Sequence, residues 1–371
     1  MNNKTHMHPT ISLLEQLVYI ESTHERKEGL KEVVDFIASL FQTSNFYVTK
    51  YFFDGYPALV VSNTESLDVD IILSGHLDVV GAPKKMFTPK VKDGYMYGRG
   101  TMDMKSGVAA MINSFRATVK DTKHTIALLL STDEEIGGFN GAKQLLETVG
   151  YTGKIAIIPD GGYKETQIAL REKGFLRAHI TFSGLSAHAS RPWQGDNAIL
   201  KMADFIHNME EYNQSLQKND SGHWYTTVNL SRCTGGHSLN SVPNNAVVDY
   251  DIRYTEDQAP EGIIESIKKL AEKYSAEVHI SMLESNVCIS KDNPYVQQYV
   301  ASIEANEGKV TFTQDQGASD ARFFVAHGVP VVLSQPYGLD WHSPNERVDL
   351  DSVLKFQEIV TYFIRNFEVK K

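Results

Sequence analysis

Five short stretches of this chain gather acidic side chains, histidines and glycines. They are Ser74-Gly75-His76-Leu77-Asp78, Gly98-Arg99-Gly100-Thr101-Met102-Asp103-Met104-Lys105, Ser131-Thr132-Asp133-Glu134-Glu135-Ile136-Gly137-Gly138, Pro159-Asp160-Gly161-Gly162 and Trp341-His342-Ser343-Pro344-Asn345-Glu346. Carboxylates and imidazoles are ligands for hard-to-borderline divalent cations. A two-cation site needs one carboxylate bridging ions ~3.5–4 Å apart, and one or two further ligands per ion. Such a pair activates water against amide bonds. Glycine suits the crowding, since it permits close backbone approach and positive φ.

Those side chains need a frame that aims them at one place. Ser12-x-x-Glu15 reads as a capping box, and Leu13, Leu14, Leu17 and Val18 give a one-sided stripe, so a helix is expected over Ser12–Ser22. A second helix is expected over Glu28–Phe41, and strands over Phe46–Phe52, Ala58–Ser62 and Ile71–Ser74. Helix Gly107–Val119, strand Thr125–Ser131, helix Gly141–Thr148 and strand Lys154–Ile158 continue the alternation. This predicts an α/β fold, a doubly wound and mostly parallel sheet with helices on both faces. Functional groups gather at strand C-terminal ends in such sheets, and His76, Glu134, Glu135 and Asp160 all follow such ends.

The pattern changes near Gly174. Strand Phe175–Phe182, helix Asn197–Leu216, strands Tyr225–Arg232 and Ala246–Tyr254, helix Glu261–Lys273 and strand Glu277–Met282 make a β-α-β-β-α-β unit. We expect a discontinuous catalytic domain, residues 1–174 and 288–371, around an inserted α+β lid or dimerisation domain at 175–287. Asp292-Asn293-Pro294 opens the return, with a short buried strand at Val331–Leu333 and a closing helix over Leu350–Phe367.

Composition narrows the partners. The chain has 371 residues, 42% hydrophobic and 22% charged, and a formal net charge of −10. That balance lacks the basic face that nucleic-acid binding requires. Two cysteines, Cys233 and Cys288, exclude a disulfide framework; isolated thiols read as buried and free in a reducing compartment, hence cytoplasmic. Met1–Thr10 is polar, without the apolar core of a signal peptide, and no apolar run reaches ~18 residues, so no membrane partner is expected. His6 and His8 read as residues of a disordered tail rather than ligands.

Taken in order, His76-x-Asp78, Gly98-Arg99-Gly100-x-x-Asp103-Met104-Lys105 and Asp133-Glu134-Glu135-x-Gly137 resemble the M20 family of zinc peptidases and deacylases. The family includes glutamate carboxypeptidase, acetylornithine deacetylase, succinyl-diaminopimelate desuccinylase and aminoacylase, and the resemblance covers nearly the whole chain. It implies two divalent ions per chain, zinc with cobalt or manganese as alternatives. His76 and Asp160 match terminal ligands of one ion, Glu135 and His342 those of the other, and Asp103 the bridge. Asp78 matches the group orienting His76, and Glu134 the general base. Successive side chains diverge, so one glutamate on metal and one facing water is a natural division. The resemblance also implies a cis peptide after Asp103.

His188, in Ser186-Ala187-His188-Ala189-Ser190, matches a residue that steadies the oxyanion in the partner's site of a homodimer formed through the inserted domain. Asn240, Arg253, Gly317 and Ser319 match substrate-holding positions. The implied substrate is a small peptide or N-acyl amino acid with a free carboxylate. Metal motifs leave peptidase and deacylase open. The deacetylase and desuccinylase branches resemble Glu-Pro-Thr where this chain has Asp160-Gly161-Gly162, which favours the peptidase or aminoacylase side. A non-catalytic relative would lack ligands, and none is missing. The remaining histidines, His24, His124, His179, His207, His223, His237, His279 and His327, read as structural.

Overall fold

A computed structural model describes residues 8–42, 45–217 and 222–370. The first elements are helices α1 (Pro9–Tyr19) and α2 (Lys27–Ser39) and strands β1 (Tyr47–Phe53), β2 (Tyr56–Ser62) and β3 (Asp68–His76). A hairpin of β4 (Lys90–Lys92) and β5 (Tyr95–Tyr97) precedes helix α3 (Ser106–Thr118), and β6 (Ile126–Ser131), β7 (Thr152–Ile158) and β8 (Gln167–Glu172) follow. Next come β9 (Gly174–Ser183), α4 (Ala198–Leu216), β10 (Thr227–Gly235), β11 (Asn245–Tyr254), α5 (Pro260–Glu272) and β12 (Glu277–Glu284). The chain closes through α6 (Pro294–Glu307), β13 (Thr311–Asp315), β14 (Val331–Leu333), β15 (Gly338–Leu339), β16 (Arg347–Asp349) and α7 (Leu350–Asn366).

Two compact units result. One runs to Arg171 and resumes over Ile289–Asp315 and from Ser319 onward; the other is Glu172–Cys288 with Gln316–Ala318. In the first, the large sheet is ordered β1-β2-β6-β3-β7-β14-β8, and β13 also pairs β8. Its centre is parallel: β3 pairs β6 and β7, and β14 pairs β7. Its flanks are antiparallel, at β1–β2, β2–β6 and β14–β8. The central strands are buried along nearly their whole length, as a sheet covered on both faces requires. The α/β expectation holds, with a mixed sheet.

The second unit is a four-stranded antiparallel sheet ordered β10-β11-β9-β12. Its β-α-β-β-α-β order is the expected one. Phe182, Phe205, Tyr250 and Ile267 sit in a common core under α4 and α5. Asn197 caps α4, its side chain accepting the Ile199 and Leu200 N–H groups.

Several details correct the sequence reading. Helix α1 begins at Pro9, not Ser12, because His8 extends its N-terminus: its Nδ1 accepts the Thr10 N–H at 3.3 Å. His8 is therefore a cap rather than tail, while His6 lies outside the described residues. Cys233 and Cys288 are free but exposed, Cys233 because it lies on β10, an edge strand that is exposed along most of its length. Among the described residues no helix is long and apolar enough to cross a membrane.

Candidate metal centre

Parallel strands deliver the first candidate ligands to one edge. His76 closes β3, opposite Ser131 at the end of β6. Beyond β6 the chain enters a single helical turn, Glu134–Ile136. Asp160 lies two residues past the end of β7. Asp103 comes from a wide turn, Thr101–Lys105, where Asp103 (φ −114°, ψ 97°) and Met104 leave helical geometry. The Asp103–Met104 peptide is cis, as the resemblance implied. Helix α3 starts just after this turn and packs on Pro159; a Cβ on Gly107 would lie 2.4 Å from the proline ring, so only glycine allows that approach. His342 comes from the far end of the chain, at φ 58°, in the left-handed region that non-glycine residues rarely occupy.

The residues fall into two groups, His76 with Glu134 and Asp160, and Asp103 with Glu135 and His342; within each, candidate ligand atoms lie within 4.8 Å of one another. Asp103 joins the groups: its Oδ1 is 3.0 Å from His76 Nε2 and its Oδ2 is 3.0 Å from His342 Nε2. Glu135 Oε2 is 3.3 Å from His342 Nε2, and its Oε1 accepts the Val80 N–H at 3.2 Å. His76 Nδ1 donates to the Asp78 carbonyl at 3.0 Å, which leaves Nε2 facing inward.

Charge in this cluster is out of balance. Burial, then the charge of Asp160, pushes Glu134 well above its ordinary range. Burial, then Asp103, pushes Asp160 up to about 8. Burial opposes the His76 imidazolium, yet Asp103 and Asp78 outweigh it and hold it well above the ordinary value. Hydrogen bonds to Asp103 and Glu135 push His342 up to about 10. Burial would raise Asp103, but the two histidines pull it far below the usual carboxylate range. So many buried carboxylates cannot all ionise together unless positive charge joins them. The nitrogen and oxygen donor set therefore fits two divalent cations.

An outer layer holds this cluster, and the sequence reading missed most of it. Arg99 and Glu346 form a buried ion pair. Glu346 also accepts the Met102 and Asp103 N–H groups at 3.1 and 3.4 Å. Lys105 is fully buried, its Nζ donating to the Leu17 and Ile20 carbonyls at 2.9 Å each, and burial lowers its pKa to about 7. Burial and the charge of Asp320 push Asp133 up to about 7. His24, read as structural, donates from Nε2 to Asp78 Oδ2 at 2.9 Å. Its only sequence signal was an imidazole in a short loop between two helices.

The other anticipated residues lie elsewhere. His188 is exposed in the second unit, with Nδ1 2.8 Å from Ser190 Oγ. It bridges Ser241, and Ala189 N–H donates to the Asn240 carbonyl at 2.9 Å, so His188 and Asn240 are neighbours. Arg253 donates to Asp251 at 2.6 and 3.3 Å and lies over the Phe175 ring. Gly317 groups with the second unit and is exposed, while Ser319 is buried in the first, its carbonyl accepting from Arg322 at 2.5 Å.

Residues 72–366 match the sequence model of peptidase family M20/M25/M40. The chain belongs to that family. As a member of the M20/M25/M40 family it is a metal-dependent hydrolase. A succinyl-diaminopimelate desuccinylase of Hydrogenovibrio crunogenus is 26% identical over 373 residues, covering 95% of this chain and 97% of its own. An aminopeptidase PepT from Bacillus cereus matches at TM-score 0.78 and 23% identity, covering 96% of this chain and 97% of its own. A dinuclear metal-binding M20 peptidase from Bacillus subtilis matches at TM-score 0.68 and 14% identity, covering 98% and 99%.

Proposed function

We propose that this family member is a two-cation hydrolase that cleaves the amide bond of a small peptide with a free carboxylate. Asp103 carries the reading: its two oxygens face His76 and His342, and those imidazoles belong to different three-residue groups. A carboxylate so placed suits a bridge between two ions. In this reading His76 and Asp160 are terminal ligands of one ion and Glu135 and His342 of the other, zinc first, with cobalt and manganese as alternatives. Divalent cations supply Lewis acidity toward water and the scissile carbonyl. Glu134 takes a proton from water and returns it to the leaving nitrogen, a role supported by its place beside His76 and Asp160. Asp78 keeps the His76 ring turned inward. His188 serves the oxyanion in the partner's site of a homodimer formed through the inserted unit, and Asn240, Arg253, Gly317 and Ser319 hold substrate; these five roles rest on the family's motifs.

Asp160-Gly161-Gly162 supports the peptidase branch. A second reading, N-acyl amino acid deacylase, is favoured by the desuccinylase relative. Elemental analysis after zinc loading is expected to give two ions per chain. A panel of dipeptides, tripeptides, N-acetyl and N-succinyl amino acids is expected to show peptide cleavage. Turnover confined to N-acyl substrates would move the assignment to the deacylase branch. At most trace metal in the loaded protein would remove the two-cation reading.

A further inference from the structure

Resting on the two-cation reading, we infer that His24 is a positioning residue for the metal centre, acting through the buried carboxylate of Asp78. His24 lies in the loop between α1 and α2, and Ser22 registers that loop against the segment after β3. The Ser22 hydroxyl donates to the Leu77 carbonyl at 2.6 Å, and the Ser22 carbonyl accepts the Val79 N–H at 3.0 Å. His24 is thereby set opposite Asp78, 54 residues along the chain and fully buried.

Asp78 is the node between the two candidate cation groups. Its carbonyl accepts from His76 Nδ1 at 3.0 Å, and its Oδ1 is 3.5 Å from the same nitrogen. Oδ2 accepts the Glu135 N–H at 3.0 Å and the His24 Nε2–H at 2.9 Å. One carboxylate thus touches a ligand candidate from each group, and His24 fixes the rotation of that carboxylate. An ionised carboxylate only accepts, so the His24 nitrogen facing it carries the proton. The other ring nitrogen, His24 Nδ1, is buried with no hydrogen-bond partner among the described residues. The ring is therefore held through the Asp78 contact, with Tyr56 tilted against it at 5.7 Å.

Side chains that orient metal ligands from outside cost about 10–100-fold in metal affinity when removed. His24 stands one step further out, so roughly the lower end of that range is expected. The test uses the full chain and zinc alone, titrated against a chromophoric chelator. His24→Leu keeps bulk and removes the donor. His24→Gln places an amide nitrogen at about the reach of imidazole Nε2. Zinc affinity is expected to fall about tenfold in His24→Leu and to return to within about threefold of wild type in His24→Gln. Metal-free melting temperatures of the two variants should be close. Unchanged affinity in His24→Leu, or equal losses in both variants, overturns the role of His24 while two ions in the wild type leave the two-cation reading standing. Fewer than two ions in the wild type overturns both.

Discussion

Glu134 and Asp160 are adjacent carboxylates with raised pKa values, and the division of labour between them can be measured. Glu134→Gln should lower kcat about 10²–10⁴-fold if that carboxyl carries the proton. Retention of both ions would mark it as a base; loss of one would make it a ligand, as its grouping with His76 and Asp160 allows. The same charges set a pH dependence in the metal-free protein. Asp160 is raised from 3.8 to about 8 and His342 from 6.5 to about 10. Across those windows the folded chain holds protons that the unfolded chain has released, so stability falls as pH rises. Asp78 and Asp103 are lowered, and their opposite slope acts only below about 3.8. The metal-free melting temperature should therefore drop from about pH 5 to about pH 9, and zinc should flatten the slope and release protons on binding. A metal-free melting temperature that climbs across that window contradicts the account. The ligand candidates themselves were legible, because carboxylates and histidines stood in glycine-rich turns after apolar runs. His24 was not, since nothing in a lone histidine says that a buried aspartate faces it.

Between the loops that carry Asp103 and His342 stands a small sheet of the β4–β5 hairpin with β16 and β15. It pairs Tyr97 with Arg347, and one residue past Tyr97 the Gly98 N–H donates to the Glu346 carbonyl at 3.1 Å. The Arg99–Glu346 pair completes the join. Glu346→Ala leaves the Arg99 charge buried and alone, and should cost about 3–5 kcal/mol by chemical denaturation. The double variant Arg99→Met with Glu346→Leu should cost less than Glu346→Ala alone. A loss in the double variant as large as in the single would mean that the pair is not the source. This sheet escaped the sequence reading because strands of two or three residues carry no period. Asp93-Gly94, with φ 53° and 86°, was the available hairpin signal. β8 and β13 are longer and were missed because their apolar content is small, Ile168–Leu170 in one and Phe312 in the other. The long helices were legible, since apolar spacing over ten or more residues leaves little choice, and their ends shifted by only a residue or two, except in α1, where both ends lie three residues earlier than expected. There a proline at the first position and a histidine cap displaced the expected Ser12 cap.

The whole molecule shows how far pattern carries. Alternating helix and strand pointed to the α/β sheet, and the change of pattern near Gly174 marked the second, antiparallel sheet. Pattern could not give sheet order, which depends on contacts across hundreds of residues. Its most distant member is β14, Val331–Leu333, which lies between β7 and β8. A chain ending at residue 288 should fail to fold cooperatively and should gain no thermal stability from zinc. Cooperative unfolding of that fragment with a zinc-dependent shift would show that the sheet closes without β14. The consequence reaches the moment of synthesis. When β7 leaves the ribosome, the strand that must lie beside it is more than 170 residues away in the sequence. At about 5–20 residues per second that wait lasts roughly ten to thirty seconds, during which β7 and β8 expose unpaired edges to other chains and to chaperones. His342 emerges later still, so the nascent chain lacks a member of its candidate metal centre for the whole of that wait.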